Sequence, residues 1–187
     1  MGDLTLVTGG ARSGKSSFAE KIVKKNGKNV VYIATSIPFD EGMKSRIKKH
    51  RKQRPESWHT IEMYKNFNII LDDDKFKYAD TIILDCITIM ISNLILEKNI
   101  DFDDISEEEI DTLENQIFNE IYILLDALKD KNVVLVTNEL GMGIVPSYKL
   151  GSIFRDIAGR VNQYIAKRAN KVYLTVSGIP IEIKGEK

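Results

Sequence analysis

Along the chain, short runs of apolar and β-branched residues alternate with longer stretches of mixed, helix-period character, so the pattern predicts strands separated by helices. Leu4-Thr5-Leu6-Val7-Thr8 reads as a strand, Ser16 to Val23 as a helix, and Asn29 to Ala34 as a second strand ending at Thr35-Ser36. Strand, helix, strand in that order implies a parallel unit with a right-handed crossover. Asp40 to Gln53 is densely charged without a strong apolar stripe, which suits a surface helix that Arg54-Pro55 would end. Thr60 to Met63 fits a short strand, and Tyr64 to Tyr78 fits helix and loop equally.

Thr81-Ile82-Ile83-Leu84-Asp85 is an almost continuous apolar run closed by a carboxylate, the pattern of a central parallel strand buried on both faces. Ile87 to Glu97 is helical in character. Ser106 with Glu109 forms a capping box that opens a long amphipathic helix to about Lys129. Val133 to Thr137 is another buried strand, followed by a loop from Asn138 to Pro146 carrying Gly141 and Gly143. A helix from about Lys149 to Ala169 leads to the strand Lys171 to Val176. Ser177-Gly178 then fits a hairpin turn returning Ile179 to Ile183 as an antiparallel edge strand. The expected fold is α/β: one three-layer domain over residues 1–187 with a mostly parallel sheet, of the P-loop NTPase type because Gly9 to Ser16, between the first strand and the first helix, fits G-x-x-x-x-G-K-[ST].

The chemistry enters at Gly9-Gly10-Ala11-Arg12-Ser13-Gly14-Lys15-Ser16, which fits the G-x-x-x-x-G-K-[ST] pattern between a strand and a helix. Backbone N–H groups and the helix N-terminus would cradle phosphates there. Lys15 would reach the β- and γ-phosphates, and Ser16 would ligate the bridging Mg²⁺. Asp85, at a strand's carboxyl end, is the first candidate for the metal-side carboxylate, and Glu139 is its rival. Arg46, His50 and Arg54 would share a helix face, placing an imidazole between two guanidiniums. Neighbouring cations favour the neutral ring, which could attack an α-phosphate. A solvated basic face with an incidental histidine is the competing reading, and a nucleic-acid patch a third. His59 reads as structural, Cys86 as a small buried residue, and the Met142 loop as either a lid or a structural turn.

Composition narrows the partners. Lys plus Arg and Asp plus Glu are 27 each, so no overall field draws nucleic acid or an anionic membrane. A lone cysteine excludes an internal disulfide and suits a reducing compartment. No apolar run approaches the roughly 18 residues of a membrane span, and the expected location is the cytoplasm.

Four segments together resemble the bifunctional adenosylcobinamide kinase/adenosylcobinamide-phosphate guanylyltransferases of cobalamin biosynthesis. They are Val7 to Ser16; Tyr32 to Ser36; Arg46 to Glu62; and Val134 to Pro146 with Phe154 to Gln163. The resemblance implies phosphorylation of the aminopropanol hydroxyl of adenosylcobinamide with ATP or GTP. Transfer of GMP from GTP onto that phosphate follows, through a histidine matching His50. It carries nucleotide contacts to Gly9 through Ser16, to Ala34, Thr35 and Ser36, to Arg51, Lys52, Gln53 and Arg54, to Glu62 and to Asp85. It also implies a homotrimer with sites completed between subunits, while composition and the lack of a long apolar run already speak against nucleic acid and membrane insertion.

Overall fold

The computed structural model of the protein describes residues 2–37, 51 and 54–185. Its strands are β1 (Leu4–Gly9), β2 (Val30–Ala34), β3 (His59–Glu62), β4 (Thr81–Asp85), β5 (Asn132–Val136), β6 (Lys171–Val176) and β7 (Ile179–Lys184). The helices are α1 (Lys15–Asn26), α2 (Asp74–Tyr78), α3 (Ile87–Leu96), α4 (Glu107–Leu128) and α5 (Lys149–Arg168), with a 3₁₀ turn at Phe67–Asp72. The strands form one sheet in the order β3-β2-β4-β5-β1-β6-β7. All neighbours are parallel except the β6–β7 hairpin.

The runs richest in Val, Ile and Leu take the centre, because a parallel strand between two helical layers has no polar face. β4 pairs with β2 and β5 and is buried until its last residue, Asp85. One face packs on α1, where Val7, Tyr32, Ile83 and Val134 meet Ala19 and Val23. The other carries Leu6, Ile82, Leu84 and Leu135 against the buried stripes of α3, α4 and α5. Burial falls off at both edges: β3 is only partly covered, and every residue of β7 is exposed.

Local chemistry sets the ends of the elements. Ser106 accepts from Glu109 N while Glu109 returns a bond to Ser106 N, so the expected capping box forms. The segment Tyr64 to Tyr78 becomes the 3₁₀ turn followed by α2, whose N-cap Asp73 accepts from Phe76 N. At the sheet's amino edge the Asp80 carboxylate accepts from Asn29 N at 2.8 Å, Lys28 N at 3.2 Å and Thr81 Oγ1 at 2.7 Å. Those bonds tie the α1–β2 turn to the start of β4 and outweigh the desolvation that opposes ionisation, holding the carboxyl below its ordinary range.

Candidate functional site

Because the strands are parallel, the loops after β1, β2, β4 and β5 gather at one edge, as ligand sites do in open α/β sheets. The loop from Gly9 to Ser16 leaves β1 and enters α1 there. Its shape needs left-handed backbone at Arg12 (φ 57°) and Gly14 (φ 95°). Gly14 also lies against the β6–β7 turn: a Cβ built on it would stand 3.1 Å from Gly178 Cα. The loop is therefore fastened from a distant part of the sequence. Gly178 N donates to Ser13 O at 2.8 Å, Ser13 Oγ lies 2.9 Å from Thr175 Oγ1, and Thr175 Oγ1 donates to Thr8 O. Gly10, Ala11 and Arg12 stay exposed at the rim, while Ser13 is buried.

Lys15 is 7% exposed and its ammonium donates to Gly10 O at 2.7 Å. Burial pushes it below its ordinary pKa, and the nearby Cys86 and Asp85 work the other way. A buried ammonium held over the backbone of such a loop is arranged to meet an anion. Asp85, ending β4, accepts from Tyr32 Oη at 2.9 Å. The Tyr32 phenol is held protonated, first by burial and then by that carboxylate. Ser16, in the first turn of α1, is partly exposed. No group of three or more His, Cys, Asp or Glu side chains suited to a metal occurs among the described residues. One hydroxyl and one carboxylate do fit Mg²⁺, which keeps several waters and takes further oxygens from phosphates.

Beside this loop, Thr35 follows β2 and is clamped at three points. Its hydroxyl donates to Cys86 O at 2.8 Å and accepts from Cys86 N, its N–H bonds Asp85 O, and its own carbonyl accepts from the buried Asn93 amide at 2.7 Å. Cys86 is buried, with its thiol pushed up to about 12 chiefly by that burial, so it is a packing residue, as its sequence context predicts. Ala34 closes β2, and Ser36 lies half-buried just beyond Thr35. His59 opens β3 and faces Asp73 at 3.5 Å, which fits its structural reading.

His50, Lys52, Gln53 and Arg46 lie outside the described residues, as does the expected helix over 40–53 apart from Arg51. The neighbouring positions are described. Arg51 pairs with Glu62 at the end of β3. Arg54 lies in the bend ahead of Pro55, since a residue preceding proline is disfavoured in helix. Its guanidinium stacks 3.6 Å above the Tyr32 ring, and Tyr32 in turn stacks with Trp58. Arg54 Nε and Nη1 are buried without a partner among the described residues. A stacked guanidinium with spare donors is an anion receptor.

The structure thus brings Gly9 to Ser16, Asp85, Ala34, Thr35 and Ser36 to one edge of the sheet, and sets Arg54 on Tyr32, the residue that bonds Asp85. Glu139 follows β5, the strand between β4 and β1, and its N–H bonds Gly9 O at 3.0 Å. Sequence reasoning missed Tyr32, Asn93 and Thr175 as supports. Each is an ordinary core or strand residue in its local context, and only the pairing across the sheet reveals its role.

The family model described as cobinamide kinase / cobinamide phosphate guanyltransferase matches residues 5–183. The bifunctional adenosylcobalamin biosynthesis protein CobU of Escherichia coli is 45% identical over 183 residues, covering 97% of this chain and 99% of that protein. The protein of the same name from Salmonella typhimurium is 44% identical over the same coverage. Among solved structures, a prototypical ATPase from the type III secretion system of pathogenic bacteria superposes with a TM-score of 0.54 at 7% identity, covering 93% of this chain and 52% of that one. That likeness is one of fold.

Proposed function

The chain belongs to the cobinamide kinase / cobinamide phosphate guanyltransferase family, and from that premise we propose that it phosphorylates adenosylcobinamide and then guanylylates the product. The observation that carries the reading is the loop Gly9–Ser16, with the buried Lys15 where it enters α1 and Asp85, at the end of β4, close enough to act on that charge. In the kinase step, ATP or GTP lies with its phosphates on the loop, and Lys15 balances the charge of the β- and γ-oxygens. Ser16 and Asp85 would hold Mg²⁺, which when bound offsets charge on the same oxygens. The acceptor hydroxyl forms the new P–O bond as the bond to the nucleoside diphosphate breaks.

In the second step His50 attacks the α-phosphate of GTP, forming an N–P bond as pyrophosphate leaves. The cobinamide phosphate then takes the GMP from the histidine. Arg51, Lys52, Gln53, Arg54 and Glu62 supply nucleotide contacts, with the spare donors of Arg54 aimed at phosphate charge. Both steps run on one domain of residues 1–187. No helix among the described residues is long and apolar enough to cross a membrane. We place the protein in the cytoplasm as a homotrimer, for which the exposed Ile179 and Ile181 of β7 offer apolar contact surface.

The test is incubation with Mg²⁺ and GTP labelled on the α-phosphate, followed by denaturation. Acid-labile, base-stable label on the chain that disappears in His50→Ala, with cobinamide phosphorylation retained, is the expected result. A folded, GTP-binding protein that takes no label overturns the guanylyl step and leaves a kinase.

A further inference from the structure

The fourth family-like segment, Val134 to Pro146 with Phe154 to Gln163, has only Glu139 near the nucleotide chemistry described above. In the fold its two parts meet. A cleft of about 500 Å³ opens between α5 and the sheet, with Thr8 and Glu139 at the phosphate-loop end and Leu6, Val172 and Ile183 along its apolar floor. The wall from α5 includes Arg155, Gly159 and Gln163.

The cleft is built by a closed ring of bonds. Asn138 N donates to Thr88 Oγ1, the Thr88 and Thr137 hydroxyls bond each other, and Thr137 Oγ1 donates to Asn162 Oδ1. Asn162 Nδ2 returns to Asn138 O. This ring fixes the loop after β5 against α5, so that Glu139 stands at the mouth beside Gly9.

Its cations are already paired. Arg155 pairs with Asp156 and donates to Ile144 O, and Arg160 pairs with Glu114. With both guanidiniums neutralised within the chain, the cleft does not present an anion site. What it offers a ligand is an apolar floor, the Gln163 amide, the Glu139 carboxylate and one orphan. Thr8, 8% exposed, lines the cleft, and its hydroxyl has no partner among the described residues. An unsatisfied buried hydroxyl is costly unless something bonds it.

From these features we infer that the cleft receives the acceptor of the kinase step, an uncharged amide-linked arm ending in a hydroxyl, as distinct from any phosphate. Thr8 and Glu139 meet the hydroxyl, and Gln163 meets an amide. The cleft has room for such an arm and leaves a macrocycle outside. This assignment rests on the kinase reading given above.

Two variants test it in the full-length protein, with cobinamide as the varied substrate and Mg²⁺ with GTP held in excess. Apart from its own helix backbone, a Cβ built on Gly159 meets no atom within 4 Å, so Gly159→Leu enters the cleft without a clash at its Cβ. Thr8→Val removes the orphan hydroxyl at constant shape. Each is expected to raise the cobinamide KM about tenfold or more, while the KM for GTP and the mass in sedimentation stay as in wild type. Unchanged cobinamide KM in both variants overturns the assignment. So does a change of assembly mass in Gly159→Leu, which would make the cleft a contact between copies of the chain. A wild-type protein that does not phosphorylate cobinamide overturns the kinase reading itself, and is told apart because no variant is needed to see it.

Discussion

The Lys15 ammonium is buried before any phosphate arrives, and that carries a consequence for stability. Its pKa is lowered in the fold, so the unfolded state binds the proton more tightly, and stability rises with pH from the folded value up to the ordinary one. At neutral pH the charge therefore works against the nucleotide-free fold. Replacing it by a side chain of similar reach, Lys15→Met, is expected to leave the thermal midpoint of the nucleotide-free protein unlowered. The rise in midpoint that Mg²⁺ with GTP gives wild type should vanish, and phosphoryl transfer should fall about 10²-fold or more. Thermal scans with and without nucleotide check both halves, and a variant that kept the full ligand-dependent rise would remove Lys15 from the phosphate site. The phosphate loop was legible in the sequence because glycines and a lysine at fixed spacing carry the mechanism with them. Tyr32 was not: a tyrosine inside an apolar strand looks like core, and its bonds to Asp85 and under Arg54 exist only once β2 and β4 are paired.

Elements are held to each other mostly by buried apolar faces, yet a few polar joints fix their register. Asp80 is one, gathering Lys28 N, Asn29 N and Thr81 Oγ1 at the amino end of β4. Asp80→Asn is expected to cost about 1–2 kcal/mol near neutral pH. The sign with pH follows from the lowered pKa: the stabilisation is complete above the ordinary carboxylate range and is lost as pH falls through the folded value. The gap between wild type and variant in urea titrations should hold between about pH 7 and pH 5 and narrow below about pH 4. A gap that widened in acid would contradict this account. At this scale the sequence was most readable where the pattern was strongest. Thr81–Asp85 and Lys171–Val176 form as expected to the residue, and the Ser106 box opens α4. Tyr64 to Tyr78 was ambiguous because Phe67, Ile70 and Phe76 are its buried anchors, too few and too irregularly spaced for a helical stripe.

At the scale of the whole molecule, the phosphate loop belongs to two distant stretches at once. Gly178, at φ +84° in the hairpin turn, donates to Ser13 O and stands against Gly14. Gly178→Val forces a branched side chain into left-handed backbone at about 1–2 kcal/mol. It is expected to weaken GTP binding about tenfold while leaving the far-ultraviolet circular dichroism unchanged, because the sheet's centre is untouched. Equal GTP affinity in the variant would dismiss the hairpin as a support. No motif could announce this brace, since Thr175 and Gly178 read locally as a strand residue and a turn.

The brace sets an order of events on the ribosome. Ser13 emerges early, yet its hydroxyl partner Thr175 follows 162 residues later. A nascent chain therefore carries the lysine and the glycines of its phosphate loop for most of its synthesis without the hairpin that shapes them. The loop takes its braced shape only once the hairpin has formed, and a chain ending ahead of Thr175 is expected to bind GTP more weakly than the whole protein.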